Sequence, residues 1–154
     1  MPVRSRVLTA KLLASVVLAV AMLVMSIAVV AAGVLVADPG VDDTWASFAP
    51  MAGQAAVYLI SGMVTGVAFG AILLASAPAI VVLFTLPFAW MAVASLSFFE
   101  DVAPWLDTAR ALAPMPMEVM STTQWAQAGT ALALWMLLPL LIGIWRITRS
   151  EVAS

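Results

Sequence analysis

The sequence predicts an all-α fold: an integral membrane bundle of four transmembrane helices, with a short interfacial helix in its second outer loop. Of the 154 residues, 65% are hydrophobic and only 9% are charged, and the mean hydropathy is +1.15. A soluble domain is about 45–50% apolar and about 25% charged. The uncharged stretches are also long enough to cross the roughly 30 Å of hydrocarbon in a bilayer. We therefore expect lipid to cover most of the apolar side chains.

Four segments satisfy the need of a transmembrane helix for about 20 mostly apolar residues. The first covers about 12–37 and ends before the turn sequence Asp38-Pro39-Gly40. The uncharged stretch 44–99 is too long for one span, and Pro78 divides it into spans of about 54–75 and 79–98. The last span covers about 127–145. We interpret the first segment as a retained span, because a signal peptide has an apolar region of only about 7–15 residues. The chain is then a single transmembrane domain over 1–154.

The distribution of charge predicts the orientation of the spans. Arg4, Arg6 and Lys11 precede the first span, and Arg146 and Arg149 follow the last. Because Lys and Arg accumulate on the cytoplasmic side of spans, both termini are predicted to be cytoplasmic, in a bacterial plasma membrane. Seven acidic residues then fall in the two outer loops: Asp38, Asp42, Asp43, Glu100, Asp101, Asp107 and Glu118.

The second outer loop, over 100–126, contains a short amphipathic pattern. Its apolar positions share one helical face: Trp105, Leu106, Ala109, Leu112 and Ala113. Pro104 suits the first turn of a helix, and Asp107 can pair with Arg110 at i,i+3. The pattern predicts a short helix lying in the outer membrane interface.

Gly62, Gly66 and Gly70 form two overlapping GxxxG patterns in the second span. Small residues spaced by four allow another helix to approach closely in lipid. We favour packing among the four spans of this chain as the explanation. A dimer or subunit contact is the functional alternative.

The residue types exclude most site chemistry. The chain has no cysteine and no histidine, which removes thiolate nucleophiles, Cys/His metal sites and the usual general base. No span contains a charged residue, which argues against a proton-coupled transporter or a cation channel. We therefore expect no enzyme activity, catalytic residue, metal or cofactor. The net charge of −2 indicates no nucleic-acid partner. Membrane lipid is the expected surrounding.

Three methionines of the second outer loop, Met115, Met117 and Met120, could be considered as soft ligands for Cu(I). Without Cys or His to complete such a site, we interpret them as residues that fill an interfacial segment.

Four stretches together resemble the later part of a known family. They are Arg4–Ser15, Gly66–Ile80, Trp105–Thr123 and Gly143–Val152. In that order they are similar to the last four of the six spans of the ABC-2 type transporter permease family. The resemblance implies a permease, or partial permease, of an ATP-driven exporter that moves a hydrophobic or amphipathic substrate.

The same resemblance implies a separate ATP-binding protein, since the chain has no GxxxxGK[ST] phosphate loop. It also implies a second membrane subunit, as a homo- or hetero-oligomer. Complete family members have two further spans before the segment seen here. Arg4, Arg6 and Lys11 fall near the cytoplasmic loop before the third span of the family. These residues either couple the chain to the ATPase or act only as topology signals. The alternative function is a non-transporting four-helix membrane protein that assists or anchors another complex.

Overall fold

The computed structural model describes residues 4–37, 48–94, 96–99 and 101–152. Within these ranges the chain is helical apart from turns, and no strand occurs there. In chain order the elements are α1 (Arg4–Ala37), α2 (Phe48–Leu73), α3 (Ser76–Ala94), a 3-10 helix (Ser97–Phe99), α4 (Ala103–Leu106), α5 (Thr108–Leu112), α6 (Thr122–Leu132), a π-helix (Ala133–Leu137) and α7 (Leu138–Val152).

Four helices are long and apolar enough to cross a membrane: Arg6–Val36, Phe48–Leu73, Ala77–Ala94 and Thr122–Ile147. This confirms the predicted all-α class and its four long apolar helices. The acidic segment 38–47 and Glu100, which belong to the predicted outer loops, lie outside the described residues.

All four long helices begin earlier than the predicted spans, and short local signals explain two of these starts. α2 begins at Phe48, because Pro50 falls in the first turn, where a missing N–H breaks no helical hydrogen bond. α6 begins at Thr122, because Ser121 and Gln124 form a capping box. The Ser121 N–H donates to Gln124 Oε1 at 2.7 Å, and the Gln124 N–H donates to Ser121 Oγ at 3.4 Å.

A tight turn separates α2 from α3 near the predicted break. Leu74 has a φ of 55°, a left-handed conformation that commonly terminates a helix. Its N–H donates to the carbonyl of Gly70 at 3.0 Å. α3 then begins at Ser76, with Pro78 in its first turn, where proline is tolerated.

The last span, formed by α6, the π-helix and α7, widens just before Pro139. The Leu138 N–H bonds to the carbonyl of Ala133, five residues earlier. A proline in an α-helix clashes with the carbonyl four residues before it, which here belongs to Trp135. The π-turn changes the helical repeat at the position where that clash would fall.

Helix α2 is the centre of the bundle. α1, α3 and α7 all pack against it, and α1 also contacts α7. At one end, which we call the terminal side, Leu8, Ala71 and Ile147 form an apolar cluster. At the other end, which we call the loop side, Met115, Met120 and Ala128 form a second cluster. The two ends thus bring together parts of the chain that are far apart in sequence.

A close helix contact lies between α2 and α7. A Cβ atom placed on Gly143 would lie 2.7 Å from the Cβ of Ala71 and 3.4 Å from the backbone N of Ile72. Only glycine allows the two helices this approach. In addition, the guanidinium of Arg146 donates to the carbonyl of Ile72 in the last turn of α2, where a cation stabilises the free carbonyls.

Candidate functional site: a loop-side cavity between the spans

A cavity of about 420 Å³ lies between the four spans toward the loop side. Every span contributes to its walls, which include Met22 of α1, Phe69 of α2, Leu86 of α3 and Leu132 of α6. Ligand pockets are typically about 300–1,000 Å³ and mostly apolar. The cavity therefore has the size and the lining of a site for a small apolar or amphipathic molecule.

Four residues that line the cavity carry a hydroxyl group: Tyr58, Ser61, Thr65 and Thr108. The hydroxyls of Ser61 and Thr65 donate within their own helix. Ser61 Oγ donates to the carbonyl of Tyr58 at 2.9 Å. Thr65 Oγ1 donates to the carbonyl of Ser61 at 2.7 Å. Because these donors are occupied, the middle of the cavity offers a guest mainly apolar surface.

Asp107 is the one charged residue that lines the cavity among the described residues. It is only 6% exposed. Its Oδ1 accepts the Ala109 N–H at 2.9 Å, as the N-cap of α5, and its Oδ2 lies 3.7 Å from Nε of Arg110. The predicted i,i+3 pair is present. The carboxylate therefore places polarity at one end of an otherwise apolar space.

The predicted interfacial helix is present as two consecutive helices, α4 and α5, divided at Asp107. The backbone of Asp107 is extended, with φ −96° and ψ 111°. Its side chain caps the helix that follows, and a capping residue takes this non-helical conformation. The amphipathic pattern thus describes both short helices, but the break follows from the capping role of Asp107.

A cluster of aromatic rings joins α3, the π-helix and the part of the chain between α3 and α6, which we call the outer segment after its predicted side of the membrane. Trp135 Nε1 donates to the carbonyl of Leu106 at 2.6 Å. The ring of Trp135 meets that of Trp90 edge to face, with centroids 5.8 Å apart, and Trp90 meets Phe99 at 6.2 Å. Trp90 Nε1 is buried and has no hydrogen-bond partner within the described residues. Both tryptophans line the cavity, so its shape depends on the packing of this cluster.

Gln54 holds the outer segment over the loop side of the bundle. Its Nε2 donates to the carbonyls of Met115 and Glu118 at 2.9 and 2.7 Å. Its Oε1 accepts the N–H of Met120 at 2.8 Å. Gln54 is 2% exposed, and these bonds give partners to both N–H donors and to the oxygen of its buried amide.

Sequence reasoning missed Gln54 as a residue of interest. The available signal was an amide side chain at the start of an otherwise apolar span, where an unsatisfied polar group is costly. That signal indicates that Gln54 has a hydrogen-bond partner, but it does not identify the partner.

The three glycines predicted for helix packing line cavities. Gly62 lines the loop-side cavity, and Gly66 and Gly70 line a second cavity closer to the terminal side. A Cβ atom at any of the three would meet nothing within 4 Å. Their role in helix packing stays a prediction, whereas the close intramolecular approach occurs at Gly143.

The three cations predicted for coupling or topology lie on the first turns of α1. Arg4 is its first residue. Arg6 and Lys11 are exposed, and Lys11 lines the terminal-side cavity. Their proposed role toward an ATPase stays a prediction.

The methionines of the outer segment do not share one environment. Met115 and Met120 are buried in the loop-side cluster, with 0% and 6% exposure, whereas Met117 is 80% exposed. The described residues also contain no group of three acidic, His or Cys side chains that could hold a metal ion.

Comparisons with protein-family models, with curated proteins and with solved structures found no match to this chain. The class of protein therefore rests on the fold and the site themselves. The chain is an all-α bundle whose four apolar helices suit a multi-pass membrane protein, with a mostly apolar cavity between these helices toward the loop side.

Proposed function

We propose that this chain is a membrane-spanning permease, or partial permease, of an ABC-2 type exporter in a bacterial plasma membrane. It would move a hydrophobic or amphipathic substrate together with a separate ATP-binding protein and a second membrane subunit. The observation that carries the proposal is the loop-side cavity, which is lined by all four spans and is polar mainly at its Asp107 end.

The physical argument concerns which molecules such a space accepts. A charged group at the centre of a bilayer costs about 2.5–3.5 kcal/mol even on the lowest scales. Among the described residues that line the cavity, no charged residue other than Asp107 is present to offset that cost. An ion would therefore be excluded, whereas an apolar molecule with one polar end would bury its apolar part and keep that end near Asp107. ATP hydrolysis would occur on the partner, so the proposal assigns no enzyme activity to this chain.

The first test is recovery of partners. Tagged protein is extracted from native membranes in mild detergent, and the co-purified proteins are identified by mass spectrometry. We expect a stoichiometric ATP-binding protein. Recovery of the chain alone, or with a membrane complex that lacks an ATPase, would contradict the permease proposal.

The second test addresses the cavity. Gly62→Leu places a side chain in the loop-side cavity, where a Cβ atom meets nothing within 4 Å. Gly33→Leu makes the same change on α1, also with nothing within 4 Å, at a residue that lines neither cavity. With the ATPase partner in proteoliposomes, we expect Gly62→Leu to reduce substrate-stimulated ATP hydrolysis at least fivefold. Gly33→Leu should leave it within a factor of two.

The second candidate function is a non-transporting protein that assists or anchors another membrane complex. The open space over Gly62, Gly66 and Gly70 favours it, because a helix of another subunit could approach there. The chain has no cysteine, so single cysteines at these positions give unambiguous crosslinks. Crosslinking through Gly66→Cys but not Gly33→Cys, with no ATPase recovered, would favour this candidate.

A further inference from the structure

The second cavity, on the terminal side, has a volume of about 610 Å³. It lies between α1, α2 and α3, and it shares Met63 and Leu83 with the loop-side cavity. Gly66 and Gly70 form part of its wall on α2. Because neither glycine has a neighbour within 4 Å of a Cβ position, the two glycines keep the cavity wide.

Charge is distributed unevenly around this cavity. Lys11 is the one charged residue among the described residues that line it, and no acidic side chain lines it. The other lining residues are apolar or small, such as Leu18, Ile80 and Leu83. Lys11 is exposed, and a lysine in this position extends its ammonium group toward the membrane interface. The cavity thus combines an apolar body with a cation at its terminal-side end.

We propose that the terminal-side cavity binds one acyl chain of an anionic phospholipid, whose phosphate pairs with Lys11. The acyl chain would lie along Gly66 and Gly70 and end near Met63 and Leu83. The phosphate would remain at the interface, where a lysine attracts anionic headgroups. The inference is independent of the permease proposal, because it concerns a different cavity and holds equally for an anchoring protein.

Charge complementarity favours a lipid over a second copy of the chain. No span contains an acidic residue, and the acidic residues of the sequence lie outside the spans. A span of a second copy seated in the cavity would therefore bring apolar surface but no anion for Lys11. A phospholipid brings both. The cavity volume of about 610 Å³ also falls within the range of about 300–1,000 Å³ that is usual for ligand cavities.

The test uses phosphatidylglycerol with a photoactivatable diazirine near the end of one acyl chain, and phosphatidylcholine with the same chains. The full-length protein is reconstituted in nanodiscs with each lipid and illuminated, and labelled residues are mapped by mass spectrometry. We expect labelling to concentrate at Met63 and Leu83, and to be several-fold stronger with phosphatidylglycerol.

Two variants and two matched controls separate the contribution of the Lys11 charge from that of the open space at Gly66. Lys11→Gln should lower the preference for phosphatidylglycerol about fivefold, the effect expected for one lysine near a membrane surface. Arg6→Gln removes a charge from the same end of α1 without touching the cavity and should retain the preference. Gly66→Leu should reduce labelling by both lipids at least fivefold, whereas Gly33→Leu should not. If Gly66→Leu fails to give a monodisperse protein, the Lys11→Gln result alone decides.

Three results would overturn the proposal. Equal labelling of the wild-type protein by the two lipids would remove the role of Lys11. Labels spread evenly over exposed residues of α1 would indicate ordinary boundary lipid. A dimer in the nanodisc, with Gly66→Cys crosslinking to its copy and no lipid label at Met63, would assign the cavity to a second copy of the chain.

Discussion

The side chain of Gln54 is hydrogen-bonded to the backbone of Met120, which lies 66 residues later in the chain, at 2.8 Å. The same amide donates to the carbonyls of Met115 and Glu118. One buried side chain at the start of α2 therefore adds three hydrogen bonds to the backbone turns of the segment between α5 and α6. This is how a non-helical segment remains ordered at the loop side of a bundle of apolar helices.

Gln54→Leu should release this segment. The change leaves the N–H of Met120 and the carbonyl of Met115 without partners, and each buried unsatisfied group costs about 1–3 kcal/mol. We expect the free energy of unfolding in SDS titrations to fall by about 3 kcal/mol. Proteolysis within 113–120 should become faster. Gln127→Leu, on α6, is the matched control. An equal loss of stability in that variant would contradict the role of Gln54 in holding the outer segment.

The contact between Gly143 and Ala71 predicts that a destabilising substitution at one residue can be compensated by a substitution at the other. Gly143→Ala would place a Cβ atom 2.7 Å from the Cβ of Ala71, and overpacking of this kind costs about 1–3 kcal/mol. Ala71→Gly in the same protein removes the clashing atom. The double variant should therefore recover most of the lost stability, measured again by SDS titration. Gly129→Ala, where a Cβ atom meets nothing within 4 Å, should cost nothing.

The two tryptophans of the aromatic cluster should respond differently to the same substitution. Trp135→Phe removes the hydrogen bond to Leu106 and leaves a partly buried carbonyl unpaired, whereas Trp90→Phe removes a donor that has no described partner. Both changes reduce the same ring contact. We expect Trp135→Phe to destabilise the protein by at least about 1 kcal/mol more than Trp90→Phe. Equal effects would mean that ring packing alone matters.

The orientation inferred from the charges can be tested with single cysteines, since the chain has none. Met117 lies in the outer segment and is 80% exposed. In intact cells, Met117→Cys should react with a membrane-impermeant maleimide, whereas a cysteine appended after Ser154 should react only after lysis. The reverse pattern would place both termini outside and contradict the positive-inside reading.

Much of the helical architecture was predictable from the sequence. Long uncharged stretches must form helices in lipid, because every backbone N–H and C=O group there needs a hydrogen-bond partner within the protein. A helix meets that requirement with bonds inside one segment, so the helices could be predicted without knowledge of any tertiary contact. The starts of the helices were harder to predict. α2 begins at Phe48, with Pro50 in its first turn, and α6 begins at Thr122, after the capping box of Ser121 and Gln124. These are short-range signals that hydrophobicity alone does not contain.

The candidate sites were predictable only in part. The spacing of Gly62, Gly66 and Gly70 indicated a surface free of side chains, but it could not show whether a helix or a space lies against that surface. Gly143, which shares no GxxxG pattern, is the residue that another helix approaches. Close approach depends on where Ala71 lies in three dimensions, and no periodicity in the sequence contains that position.

By itself, then, the sequence determined the class of fold, the four apolar helices and the long uncharged stretches within them. Composition and uncharged length control those properties through the cost of exposing polar groups to lipid. Only the tertiary structure decided that Gln54 holds the outer segment, that Trp135 meets Trp90, and that Lys11 stands at the end of a cavity. Each of these depends on contacts between distant parts of the chain, which arise from the packing of α1, α3 and α7 around α2.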